Sequence, residues 1–237
     1  MSPHSRTPPA GKYTEVHYDA KGNIRGSSIR QFLLEKSRLV YQQEDERNYH
    51  IFYEMLVGMD PRRLDGVPQG MDPAMKKKLV LSRAEDYHYL RGGNSFVIDV
   101  KNDQADFDKV VTALQYLKFE HQQEYIFQTL SAILHLGNIQ FSCIETDRHG
   151  KVADVSEEAS KRELNIAAQM LEIEVEPLMT ALRQKIQYVH GETIVMPLSP
   201  EQALDTRDAL FFQGLVLGQL PVAGAPHQRY CQQRETC

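Results

Sequence analysis

From Tyr49 onward the apolar residues keep a helical period, segment after segment, and this recurrence constrains the fold more than any other feature. Tyr49, Phe52, Tyr53 and Leu56 fall at i, i+3, i+4 and i+7, and the run stops at Gly58. Phe107, Val110, Val111, Leu114 and Leu117 mark a second such face. Ile126, Leu130, Ile133 and Leu134 mark a third, stopped at Gly137. Ser156 opens a helix running to Leu171, and residues 174–183 are helical again. Asp72-Pro73 supplies an N-cap and first-turn pair for a short helix over residues 73–81. Ser199-Pro200-Glu201-Gln202 reads as a capping box with proline at the first helical position. Residues 91–101 are irregular with room for a short strand, and Ile139 to Phe141 reads as another.

The front of the chain has a different period. Residues 12–18 (KYTEVHY) are rich in β-branched and aromatic types, residues 19–23 (DAKGN) carry turn chemistry, and residues 24–34 read as a second strand. That strand is apolar on both faces at Phe32, Leu33 and Leu34, a pattern that calls for cover on both sides. Two strands alone are marginally stable, so the hairpin is expected to belong to a larger sheet. A second, smaller hairpin is expected around residues 187–196, turning near His190-Gly191. The fold class is therefore mainly α with a β-hairpin at the front. The Pro-rich residues 1–10 are expected to form a flexible leader, and the period degrades from Phe212.

Composition narrows the function classes. With 27 basic and 32 acidic residues the net charge is −5, which disfavours nucleic acid as a partner. The three cysteines, Cys143, Cys231 and Cys237, form no C-x-x-C pair, so a disulfide framework is not expected and a reducing compartment is. No apolar run approaches the length of roughly 18 residues that a membrane span needs, and residues 1–10 lack a secretory apolar core.

A phosphate cradle needs glycines that let backbone N–H groups approach the phosphate oxygens, then lysine for charge and Ser/Thr for magnesium. Gly11-Lys12 is followed by Tyr13 and Gly150-Lys151 by Val152, and no G-x-x-x-x-G-K-[ST] or G-x-G-x-x-G occurs. His121, Glu124 and His135 lie near one helix, but a metal site needs three or four convergent donors, and the plainer reading is a helix surface and a helix end. No G-x-S-x-G elbow is present. The Lys76-Lys77-Lys78 run reads as a solvated helix face rather than an anion patch, and Tyr49/Phe52/Tyr53 as core rather than a ligand box. The charged run at residues 35–38 (EKSR) reads as the place where the strand leaves its sheet rather than as an interior ion-pair node.

Three stretches together resemble one family. Residues 11–56 contain GKY, the I-x-G-x-x-I spacing at Ile24, Gly26 and Ile29, then LLEKSR and ERNYHIFY. These are followed by IFQTLSAILHLGNIQF at residues 126–141 and HGETIVMPLSPEQALDTRDAL at residues 190–210. In content and order they resemble the motor domain of an unconventional myosin. The resemblance implies an actin-based, ATP-driven cytoskeletal motor. Residues 11–38 would be a hairpin of the transducer sheet, residues 39–210 the upper helical, actin-binding region, and residues 211–237 a divergent tail. It also implies Mg-ATP as cofactor of the intact motor, actin filaments as partner, and a cytoplasmic location on the actin cytoskeleton. The filament-facing piece by resemblance is Gln187, Tyr188, Val189, His190, Gly191 and Glu192.

Against the family's pattern the phosphate loop is missing, Arg6 is followed by Thr7-Pro8-Pro9-Ala10 rather than the expected Phe-Gly-Lys, and the match fades from Phe211. Three readings follow. One is a partial motor without a cofactor or metal of its own and without catalytic residues, from a truncated, spliced or gene-model product. The second is a non-catalytic actin- or partner-binding module. The third is a chain too short to fold alone.

Overall fold

The computed structural model describes residues 11–32, 36–64, 66–147, 150–189 and 192–210. The expected leader at residues 1–10 and the divergent tail at 211–237 lie outside the described residues. Strands β1 (Gly11–Tyr18) and β2 (Ile24–Phe32) form the front antiparallel hairpin. Asp19 closes its turn, accepting from the backbone N–H of Lys21 and Asn23, each at 2.9 Å, while Gly22 takes the left-handed φ of +82° that the turn requires. Large apolar side chains stay exposed at Tyr13 and Val16, which alternation places on opposite faces of β1.

The expected strand over residues 24–34, and with it a hairpin reaching residue 38, needs correction. Pairing ends at Phe32, and Lys36–Val40 is already a helix, α1. Leu33 to Glu35 lie outside the described residues. The physical reason is on the far side. Leu39 is fully buried, and its carbonyl accepts from the amides of Gln42 at 3.0 Å and Asn48 at 3.1 Å, so the short turn keeps its bonds. Asn48 also donates to the Tyr89 carbonyl (2.8 Å) and accepts from the Tyr49 N–H (2.7 Å), and so ties three segments together.

The body is helical. It comprises α2 (His50–Gly58), α3 (Met75–Lys78), α4 (His88–Arg91), α5 (Asp103–Tyr116), α6 (Gln123–Asn138), α7 (Glu158–Met170), α8 (Val175–Arg183) and α9 (Pro200–Leu210). Its core joins Leu39, Phe52, Phe107, Phe127, Leu134 and Leu164 in one buried cluster. The aromatic stripe of α2 is core, as its period implied: Phe52 and Tyr53 are buried and Tyr49 packs at the edge. Helices α2 and α5 meet at a glycine. A Cβ on Gly58 would lie 2.1 Å from the Phe107 ring, so no larger residue fits there. Arg47 locks the same region with its side chain 1% exposed. It makes a fork of 3.0 and 2.9 Å bonds to Asp103, donates to the Ser95 carbonyl at 3.2 Å and to the Phe96 carbonyl, and stacks over Tyr53. This explains why residues 91–101 hold no described strand: a guanidinium takes the carbonyls that a neighbouring strand would have used.

Two further expectations shift. Helix α3 is shorter than residues 73–81, although Asp72 caps it as expected by accepting from Ala74 N–H at 2.8 Å. Val80, with φ of +49°, ends it. A β-branched residue there is strained, and α6 holds it in place. Ser131 donates to the Leu79 carbonyl at 2.6 Å, and His135 Nε2 lies 3.1 Å from the Val80 carbonyl. The strand expected at Ile139 to Phe141 instead occupies β3 (Ser142–Thr146), paired with β4 (Gly150–Asp154). Ile139 is drawn wholly into the core, and pairing begins only after it.

Helix α9 opens on the expected capping box. The Ser199 backbone N–H donates to Gln202 Oε1 at 3.0 Å, and the Gln202 N–H to Ser199 Oγ at 3.3 Å. Its buried Arg207 donates to the carbonyls of Gly137 (3.0 Å) and Ile139 (2.9 Å), capping the C-terminal end of α6. Asp208 accepts from Arg207 Nε at 2.9 Å and from the Tyr89 hydroxyl at 2.6 Å.

Burial pushes the Tyr87 phenol from 10.0 up to about 12 and raises Tyr53 and Tyr89 as well. A raised folded value means the neutral phenol is favoured in the fold. Stability from these groups is complete below about pH 10 and lost as pH climbs through their raised values, about 12 for Tyr87. Of the 11 tyrosines, these three are therefore expected to ionise late and together with unfolding. An ultraviolet pH titration checks this; a single transition near pH 10 with the fold intact would contradict it.

Candidate functional site

A narrow ribbon is built between α8 and α9. Strands β5 (Gln184–Val189) and β6 (Glu192–Pro197) pair antiparallel, with Ile186 opposite Val195, Tyr188 opposite Thr193 and Val189 opposite Glu192. His190 and Gly191, expected at the turn, fall between the last pair and lie outside the described residues. The ribbon begins at Gln184, three residues before the expected span. Gln184 and Lys185 are polar, so the apolar pattern hid the start of the strand.

Both faces of the ribbon are exposed. Strand alternation puts Ile186, Tyr188 and Val195 on one face and Ile194 and Met196 on the other. Tyr188 is 80% exposed and Ile186 52%, and Ile194, Val195 and Met196 are also exposed. Gln187 is half-buried and Glu192 exposed. A lone pair of strands that offers this much apolar surface to water on both sides has no core of its own to bury it in.

Among the described residues, the hydrogen bonds that tie the ribbon to the body lie at its base. The Leu198 N–H donates to the Arg183 carbonyl at 2.8 Å, one step beyond the last ladder pair. The Leu198 carbonyl accepts from Ala153 N–H of β4 at 2.7 Å. Ala153, Leu198 and Ala203 are buried together against Phe141, a small core separate from the main one. The base therefore joins β4, α8 and α9.

The other sequence candidates are placed plainly. His135 is buried, with Nδ1 2.6 Å from Glu163 Oε2, so it is part of an interhelical contact. Among the described residues no group of three or more His, Cys, Asp or Glu could hold a metal ion. Within the lysine run, Lys76 donates to the Asp60 carbonyl at 3.0 Å and Lys78 pairs with Glu124, so two of the three lean on the body. A cleft of about 600 Å³ lies beside Leu56, Met59, Leu81, Arg83 and Phe96. On its wall Arg62 pairs with Asp60 at 2.6 Å and holds that carboxyl below its usual range. What the sequence did not reveal is the anchoring: Arg183 and Arg207 act on backbone carbonyls distant in the chain, and no spacing rule signals that.

A family model described as myosin head (motor domain) matches residues 5–213. Myosin-VIIa of Drosophila melanogaster is 37% identical over 206 residues, covering 86% of this chain and 9% of its own length. Unconventional myosin-XV of Homo sapiens is 38% identical over 201 residues, 84% of this chain and 5% of its own. Myosin-I heavy chain of Dictyostelium discoideum is 37% identical over 201 residues, 84% of this chain and 8% of its own. The chain thus spans less than a tenth of the length of these relatives.

Proposed function

The chain belongs to the myosin head (motor domain) family, and from that premise we propose that it supplies the filament-contacting part of an actin-based motor, with the β5–β6 ribbon as the contact. The observation that carries this reading is the exposure of Tyr188, Ile186, Ile194 and Val195 on a ribbon anchored at its root. The proposed contact is therefore wider than Gln187 to Glu192, because apolar residues on both sides of that span share the exposed faces. An apolar contact with a polar rim forms a small, weak, transient interface. The front hairpin fits a place in the transducer sheet, since β1 and β2 form only a two-stranded sheet and keep apolar side chains in water.

In this reading the 237-residue polypeptide by itself neither binds nor hydrolyses Mg-ATP, and the location is the cytoplasmic actin cytoskeleton. Its sequence holds no Gly-rich loop ending in Lys-Ser/Thr, the element that would cradle the phosphates. Within the lysine run, Lys76 and Lys78 are engaged with the body. Among the described residues no helix is long and apolar enough to cross a membrane.

Co-sedimentation with actin filaments tests the contact. The wild-type chain is expected to pellet with filaments, and Tyr188→Ala with Ile194→Asp to reduce binding about tenfold while leaving the thermal melt unchanged. Equal binding by the double variant would overturn the ribbon assignment.

A further inference from the structure

We propose that Arg183 is a positioning residue that sets the angle of the β5–β6 ribbon on the body. The inference rests on the ribbon being the filament contact. A two-stranded ribbon with wet faces takes its direction from its root, because no packing along its length constrains it. At this root Arg183 acts twice. Its carbonyl accepts from the Leu198 N–H at 2.8 Å, which holds the two strands together at the base. Its side chain crosses to β4, with Nε donating to the Ala153 carbonyl at 3.0 Å and Nη2 3.0 Å from Asp154 Oδ1. The Ala153 N–H in turn donates to the Leu198 carbonyl at 2.7 Å. A closed ring of bonds therefore runs from Arg183 to Leu198, to Ala153 and back through the guanidinium.

The two backbone bonds both run through one residue, Leu198, which leaves the root a hinge. The guanidinium supplies the brace. Its planar fork reaches a carbonyl and a carboxylate at once, which fixes a plane rather than a point. Lysine offers its donors from a single point, so it could keep the attraction to Asp154 without fixing the plane that the guanidinium fork sets. The Arg183 side chain is 30% exposed, so its effect is on geometry more than on stability. Orientation matters to the contact because a pre-aimed ribbon loses less freedom on docking.

The experiment uses the full chain with nitroxide labels at Thr193→Cys on β6 and Gln169→Cys on α7, after replacing Cys143, Cys231 and Cys237 by serine. Electron–electron double resonance of the labelled chain reads the distance distribution, and co-sedimentation of the unlabelled chain reads filament binding. One narrow distance is expected with Arg183 present. Arg183→Gln and Arg183→Lys should both broaden it at least twofold, and Arg183→Gln should weaken binding about fivefold with an unchanged melt. An unbroadened distribution in Arg183→Gln would overturn the proposal, as would wild-type affinity in that variant. If the wild-type chain does not bind filaments, the ribbon reading fails, and the distance distributions still decide for or against Arg183.

Discussion

Replacing Arg47 by methionine is expected to destabilise the chain by about 3–5 kcal/mol, the usual result of breaking a buried ion pair from one side. The effect follows from what the guanidinium leaves behind. Asp103, 10% exposed, would keep a carboxylate without its forked partner, and the carbonyls of Ser95 and Phe96 would lose their donor. Methionine fills a similar volume, so the loss measures electrostatics and hydrogen bonding rather than a cavity. Lys101 Nζ lies 3.9 Å from Asp103, too far to replace the fork, and is already committed to Glu54 and Asp106. The double change Arg47→Met with Asp103→Leu removes both charges and should recover part of the loss, leaving mainly the two orphan carbonyls. Urea unfolding of the wild type, both single variants and the double variant measures this cycle. A cost below about 1 kcal/mol for Arg47→Met would mean that water reaches the fork and that it does not organise the body.

Arg207→Met is expected to cost about 3 kcal/mol and to reach further than stability. Arg207 is 3% exposed and caps the end of α6 through the carbonyls of Gly137 and Ile139. Without it Asp208 keeps only the Tyr89 hydroxyl, and α9 loses its strongest tie to the body. Because α9 follows β6 directly, loosening it also loosens the ribbon's root. Filament binding should therefore fall in Arg207→Met even at temperatures where circular dichroism shows the helices intact. Full retention of binding at such a temperature would separate the ribbon from α9 and contradict this coupling. Arg47→Met, far from the root, should lower stability without lowering the affinity of the folded fraction.

The elements that could be read in the sequence are those whose apolar faces are long enough to repeat. Helices α2, α5, α6, α7 and α8 emerged from their spacing, and α9 from the Ser199/Gln202 box. The β3–β4 pair stayed hidden because Ser142–Thr146 is short and mostly polar, with no alternation to betray it. Helix α1 stayed hidden because the side chains that bond the carbonyl of its last turn, Gln42 and Asn48, lie beyond its end. Helix α3 was overextended because nothing in Val80 itself announces a positive φ that Ser131 and His135 stabilise from another helix. The ribbon is legible from the strand pattern around residues 187–196, and only its proposed filament role comes from family likeness. Its exposed apolar faces are not legible, since Ile186, Ile194, Val195 and Met196 read as ordinary strand filling until their exposure is known. Ion-pair partners 56 residues apart, such as Arg47 and Asp103, leave no local trace at all.

The central claim is that this polypeptide holds filaments through the ribbon without gripping nucleotide. Co-sedimentation of the intact chain with actin filaments, in paired samples with and without saturating Mg-ATP, tests it most directly. Weak binding of equal affinity in both samples is the expected result. No pelleting above background, or release of the chain by Mg-ATP, would contradict it.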